Sequence, residues 1–433
     1  MTKEQQVQNS TRAALDEGAL ETADIQSAID RAAQAGGGVV TISPGVHRTG
    51  ALRLRSFVEL RLEMGAILRF VPDPDLYPAI ESSWEGAPAR VHSPCISARG
   101  ETDVAITGLG RIDGGGAAWW HAFRHDRASL AHPRPTLLGF DGCTRVTIAD
   151  VTLTNSPSWT VHPMHCDDVR VAGVRIINPP DSPNTDGINP ESSRNVRITG
   201  CHIDVGDDCI AIKSGTERAD APPACENIVI ANCTMLHGHG GVVIGSEMTG
   251  GVRGVVISDC VFDGTDRGIR LKTRRGRGGV VEDVRVSNIV MRSVACPVVI
   301  NPFYFCGPDG KAPRVSDRSA LPADDGTPAI RRIHISGLSA TGVTSCAGFL
   351  SGLPERPLTD IALDDVAISF AEDPTPSVPA MADGVPEMAA AGFRIAFAEG
   401  VRLSRVSLTG LDGEAVAQDG AHVTTSEVTI HER

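Results

Sequence analysis

Four short segments hold the residues able to do chemistry: Asn184-Thr185-Asp186, Gly206-Asp207-Asp208-Cys209, Gly238-His239-Gly240 and Arg270-Leu271-Lys272. Together they supply three aspartates, a histidine, an arginine and a lysine. Carboxylates brought close together resist joint ionisation, so one is pushed toward its neutral form while another stays charged. Glycosidic hydrolysis needs such a division, with an acid to protonate the leaving oxygen and a base to activate water. Cations beside the carboxylates suit an anionic substrate, and the arginine fork matches a carboxylate in shape. The inventory therefore points to acid/base hydrolysis of an acidic sugar. Asp207-Asp208 taken alone reads as a solvated corner, as Asp167-Asp168 and Asp364-Asp365 do. Register with the other segments is what gives it meaning.

That register comes from a repeat. An apolar-x-apolar strand start recurs at Val104, Val146, Val169, Val196, Ile228, Val255, Val284, Ile333, Ile361 and Val401. From Val146 to Val284 the starts are 23, 27, 32, 27 and 29 residues apart, and elsewhere the gaps widen to as much as 49. A period this short, with Gly- or Asn-rich corners and no long helices, predicts an all-β parallel β-helix whose coils stack at strand spacing. A β-propeller needs blades of about 40–50 residues. Aligning the second strand of each coil on Ile188, Ile210, Val242 and Ile269 stacks Asp186 near Asp208 and Asp207 near His239. Alternation then puts Arg270 and Lys272 on the outward face.

Residues Ala23 to Ala35 read as an amphipathic helix, with Thr22 as N-cap and Gly36-Gly37-Gly38 as its stop. Its role is to cap the first coil, because an open rung is a template for aggregation. Residues 1–22 form a polar lead, and 23–433 a single β-helix catalytic domain. The Pro-rich stretch Glu372 to Glu387 reads as an exposed loop.

The 46 glycines, 41% hydrophobic and only 4% aromatic residues fit short strands with small branched core side chains. A net charge of −13 argues against nucleic acid or an anionic membrane as partner. Arg270, Lys272, Arg274, Arg275 and Arg277 nevertheless concentrate positive charge, enough for a local anion site. The 11 cysteines lack metal-type spacing and read as buried thiols. No apolar leader is visible at the start, which predicts a cytoplasmic location, or export if a leader has been removed. No cofactor and no metal ligand set is expected.

The four segments match, in order and spacing, the signature motifs of the polygalacturonases, glycoside hydrolase family 28, with Leu271 where isoleucine is usual. Gly36-Gly37-Gly38 with Ser43-Pro44-Gly45, Asp113-Gly114-Gly115, Asn155-Ser156-Pro157-Ser158-Trp159 and His162-Pro163 resemble bacterial members, so the likeness covers roughly residues 23 to 410. It implies a right-handed parallel β-helix and metal-free hydrolysis of α-1,4-linked galacturonate with inversion. By the resemblance Asp207 is the general acid, Asp186 and Asp208 hold the attacking water, and His239 tunes the acid. Asn184, Arg270 and Lys272 are substrate-binding, the two cations holding the galacturonate carboxylate. Tyr304 falls where the family has a subsite tyrosine, although its Asn301-Pro302-Phe303 lead departs from the usual polar pattern.

The stretches Tyr77 to His92 and Trp119 to Pro135 are long for plain coils and could wall off one end of a groove, as in exo-acting members. The alternatives are a hydrolase of a related pectic backbone (rhamnogalacturonan or xylogalacturonan), a calcium-dependent pectate lyase, and a non-catalytic carbohydrate-binding β-helix of tailspike type.

Overall fold

Every strand start of the repeat is preceded by a residue with a left-handed backbone: Asp103, Arg145, Asp168, Asn195, Asn227, Gly254, Asp283, Arg332, Asp360 and Gly400. That conformation turns the chain at the same place in each coil, and Asn, Asp and Gly adopt it most readily. Where arginine occupies the corner it is tied to the corner below, Arg145 to Asp103 and Arg332 to Asp283. The corners thus fix the register on which the rest of the fold depends.

The computed structural model describes residues 18–307 and 309–432, so most of the polar lead, residues 1–17, lies outside the described residues. The chain is a right-handed parallel β-helix. The repeat starts form one continuous ladder, Val104↔Val146↔Val169↔Val196↔Ile228↔Val255↔Val284↔Ile333↔Ile361↔Val401, which runs on to Val423. These side chains point into a core of stacked Val, Ile and Leu. From Val252 onward the first two strands of each coil fuse, as in Val252–Asp263, which pairs with both Cys225–Ala231 and Thr234–His237.

The N-terminal helix spans Thr22–Gln34 and buries Ile25 and Ile29 over the first coil. Thr22 does not act as the predicted N-cap. Its hydroxyl instead accepts from the Gly50 backbone N–H at 2.7 Å, which ties the helix to the coil below. All 11 cysteines are thiols, ten of them buried in the rungs.

Two departures from the coil matter for the site. Residues 79–92 form an antiparallel hairpin, Ala79–Trp84 paired with Ala87–His92, outside the stack. The Pro-rich stretch 372–387 is not simply exposed, since Ala380 and Ala382 are buried. It is draped along the coils, where Arg267 donates to the carbonyls of Val378 and Pro379, and Asn301 to that of Met381.

Candidate active site

The third strand of successive coils provides the floor. Ile188 bridges to Ile210, which pairs with Val242, which pairs with Ile269. This is the alignment expected from the sequence. With those aliphatic residues facing inward, Asp186, Asp208, Arg270 and Lys272 are delivered to one pocket, together with Asp207, His239, Asn184 and Tyr304. All eight residues expected from the sequence line it. Gly238 makes the approach of His239 feasible: its φ is 71° and a Cβ there would sit 2.4 Å from the Asp207 carbonyl oxygen. Only glycine fits.

The three aspartates each place an oxygen within 4.8 Å of the others, but their surroundings differ. Asp208 is 1% exposed. Its Oδ2 accepts from Lys272 Nζ at 2.7 Å and its Oδ1 from Arg270 Nη1 at 3.2 Å. Burial would push its carboxyl up, but Lys272, Arg270 and Lys213 hold it below the usual carboxylate range, so it stays ionised. Asp186 is 3% exposed and its Oδ2 accepts from the Asn189 amide at 2.8 Å. Burial, then the charge of Asp207, pushes it well above the usual range, with Lys213 opposing. Asp207 is only half-buried, and its Oδ1 accepts from the Asp208 backbone N–H at 2.9 Å. His239 Nδ1 lies 3.3 Å from that oxygen, and this bond raises the imidazole above its usual range against the effect of burial. A carboxyl pushed toward its neutral form beside one held ionised, with a third opening to solvent, is an arrangement for proton transfer.

Arg270 and Lys272 face the pocket while Ile269 and Leu271 enter the core, as alternation requires. Both cations are buried against Asp208, with Tyr304 beneath: Lys272 Nζ lies 5.2 Å and Arg270 Cζ 5.8 Å from its ring centroid. The rest of the expected cationic patch is committed elsewhere. Arg275 pairs bidentately with Glu355, while Arg274 and Arg277 both meet Glu217. They brace loops and do not face the pocket. Asn184 has a left-handed backbone, and Arg134 Nη2 donates to its Oδ1 at 2.7 Å. The stretch from Trp119 to Pro135 therefore serves the site by supplying that arginine.

Sequence reasoning missed several lining residues. Lys213 directly follows Ile212, which pairs with Ile244 as Ile244 does with Leu271, the residue before Lys272, so continuing the alignment three residues past Ile210 reaches it. Its Nζ donates to Glu247 at 2.9 Å and lies 4.7 Å from the Trp159 ring centroid. Burial favours neutral Glu247, yet Lys213 and Arg277 hold it down to about 2. Glu85 at the tip of the 79–92 hairpin and Met381 from the Pro-rich stretch complete the walls, and neither carries a local sequence signal.

The aspartate trio is the one carboxylate group among the described residues close enough to share a metal ion. Its donor set fits calcium poorly. Calcium takes six to eight oxygens, whereas here both oxygens of Asp208 already accept from cations and Asp186 is pushed toward its neutral form.

Residues 81–321 match the model of "Glycosyl hydrolases family 28". A probable polygalacturonase of Vitis vinifera is 34% identical, over 80% of this chain and 70% of its own length. An endo-polygalacturonase of Pectobacterium carotovorum is 33% identical, over 68% of this chain and 75% of its own. Among solved structures, a hyperthermoactive exopolygalacturonase from Thermotoga maritima superposes with a TM-score of 0.72 at 30% identity, covering 81% of this chain and 84% of that one.

Proposed function

This chain belongs to glycosyl hydrolases family 28, the polygalacturonase hydrolases of pectin, and from that premise we propose that it removes galacturonate from the non-reducing end of α-1,4-linked oligogalacturonides, with inversion. The observation that carries the exo reading is the hairpin. Trp84 stacks on Trp159 with ring centroids 6.3 Å apart and planes 12° from parallel. Beyond it, the Gly86 carbonyl accepts from both the backbone N–H and the hydroxyl of Thr216, at 3.0 and 2.9 Å. In this reading the hairpin tip, held on Thr216, closes one end of the substrate site, whose pocket has a volume of about 270 Å³.

In this reading Asp207, the carboxyl that reaches solvent beside His239, protonates the leaving oxygen. Asp186 and Asp208 hold the attacking water. The proton shared within the cluster must sit on Asp207 in the bound complex, although in the empty site burial favours it on Asp186. The carboxyls are closer than the ~6.5–9.5 Å usual for inverting pairs. Inversion is nevertheless favoured because neither inner carboxylate is a free nucleophile: Asp208 accepts from a cation at each oxygen, and Asp186 accepts from the Asn189 amide. Arg270, Lys272 and Tyr304 receive the leaving sugar and its carboxylate.

The test is digestion of reducing-end-labelled oligogalacturonides, with the product anomer followed by proton NMR. Stepwise loss of unlabelled monomer, appearing first as the β anomer, is expected. The similarity to an endo-polygalacturonase favours a second reading, in which the hairpin leaves the groove open; mixed internal fragments would establish it. An α product would overturn inversion.

A further inference from the structure

We infer that Glu85 reads the chain end, by accepting a hydrogen bond from the free 4-hydroxyl that only a terminal galacturonate possesses. The inference rests on the exo reading above and assigns the group that enforces it.

Glu85 and Gly86 form the two-residue tip of the 79–92 hairpin, with φ of 49° and 72°. Such a turn favours Asn, Asp or Gly at its first position. A glutamate there accepts an unfavourable backbone for the sake of where its side chain goes. The tip is fixed on both sides, by the Trp84–Trp159 stack and by the Gly86–Thr216 hydrogen bonds. The carboxylate is therefore held in place, and it lines the same pocket as Asp186, Asp207 and Asp208.

Among the described residues no group donates a hydrogen bond to it, whereas every other carboxylate of the pocket accepts at least one; Lys213 and Arg134 act on it only through their charge. Burial, then the charge of Glu247, pushes its carboxyl up. A partly desolvated acceptor without a donor gains most from a ligand hydroxyl.

The position fits the chemistry of the chain. Arg270, Lys272 and Tyr304 come from the later coils, beyond the aspartates; Trp159 comes from the coil before them, and Glu85 enters from the hairpin stacked on it. With the leaving sugar over the cations, the sugar to be released lies over Trp159, and the edge farthest from the scissile bond carries O4. In a terminal residue O4 bears a proton for Glu85. In an internal residue O4 is glycosidic, offers no proton, and leads to another uronate that would meet the charge of Glu85. One side chain thus accepts the end and repels its continuation.

The test compares trigalacturonate with the trimer made by a lyase, whose 4,5-unsaturated terminal ring lacks the 4-hydroxyl. The wild type is expected to favour the saturated trimer in kcat/KM by roughly 10–100-fold. Glu85→Ala should lose activity on the saturated trimer alone, bringing the ratio to within about threefold of unity, and Glu85→Gln, which keeps an acceptor oxygen, should fall between. Equal losses on both substrates, with monomer still released, would show that Glu85 only supports the hairpin and would overturn the inference while sparing the exo reading. Internal fragments from the wild type would remove both.

Discussion

Replacing Lys272 by methionine isolates its bond to Asp208. The methionine keeps the apolar stem over Tyr304 and removes only the ammonium. Asp208 would then remain buried, with Arg270 at 3.2 Å as its one direct cation in place of two. Breaking a buried pair costs about 3–5 kcal/mol; with Arg270 and Lys213 still nearby, the cost falls to the bottom of that range or below it, about 2–3 kcal/mol. In a chain of 433 residues each kcal/mol moves Tm by only about 1–2 °C, extrapolating the size trend, so a fall of roughly 2–6 °C is expected at neutral pH.

The pH dependence carries the diagnosis. Asp208 is held below its unfolded pKa, so its contribution to stability is complete above the usual carboxylate range and disappears as pH falls through the folded value. Losing Lys272 moves the folded value back up, and the gap in Tm between wild type and variant should therefore close in acid. Calorimetry from pH 7 down to the lowest pH at which both remain folded measures this. Adding Asp208→Asn to the variant should recover most of the lost stability. A Tm loss that is independent of pH and simply additive with Asp208→Asn would refute the reasoning.

Three further outcomes are expected. Asp207→Asn should keep the wild-type Tm within about 2 °C while lowering kcat by roughly 10²–10⁴-fold, the usual range for a lost acid, with residual activity that no longer follows the wild-type pH profile. Asp186→Asn should match wild-type stability in acid, where the native carboxyl is neutral. It should become the more stable protein as pH rises from the ordinary carboxylate range through the raised value of Asp186, because over that window the unfolded wild-type chain ionises freely while burial holds the native carboxyl protonated; a thermal shift series reads this, and a constant difference would contradict it. EDTA should leave hydrolysis unchanged and no product absorbing as an unsaturated uronate should form, whereas chelator-sensitive cleavage with rising ultraviolet absorbance would point to a calcium lyase.

What the sequence reveals follows the range of the interactions. The stacking column and the Ile188–Ile210–Val242–Ile269 alignment are written in strand periodicity and corner residues, so the meeting of Asp186, Asp208 and Arg270 can be read without coordinates. Lys213 obeys the same periodicity but lies beyond the Gly206–Cys209 motif, one residue past its strand. Glu85 is different. Its place depends on a contact between Gly86 and Thr216, 130 residues apart, made by a hairpin outside the repeat. The apparent cationic patch fails for a related reason: the partners of Arg274 and Arg275 lie 57 and 80 residues away, where no local pattern reports them. Likewise the Pro-rich stretch, polar enough to look solvent-facing, is held down by Arg267 and Asn301 from coils more than 70 residues earlier.

The charge balance explains how an acidic protein can act on an acidic polymer. A net charge of −13 repels a polyanion at long range, but screening confines that repulsion to about 8–10 Å at physiological salt. Inside the pocket Arg270, Lys272 and Lys213 are already shared with Asp208 and Glu247, so an incoming uronate finds cations only partly spent on internal partners. It gains a modest attraction and no deep electrostatic trap. Binding of this kind leaves the product, which carries the same carboxylate, free to depart. On the exo reading proposed above, discrimination then falls to features a single charge cannot supply: the closed end, the terminal hydroxyl and the position of the leaving oxygen against Asp207.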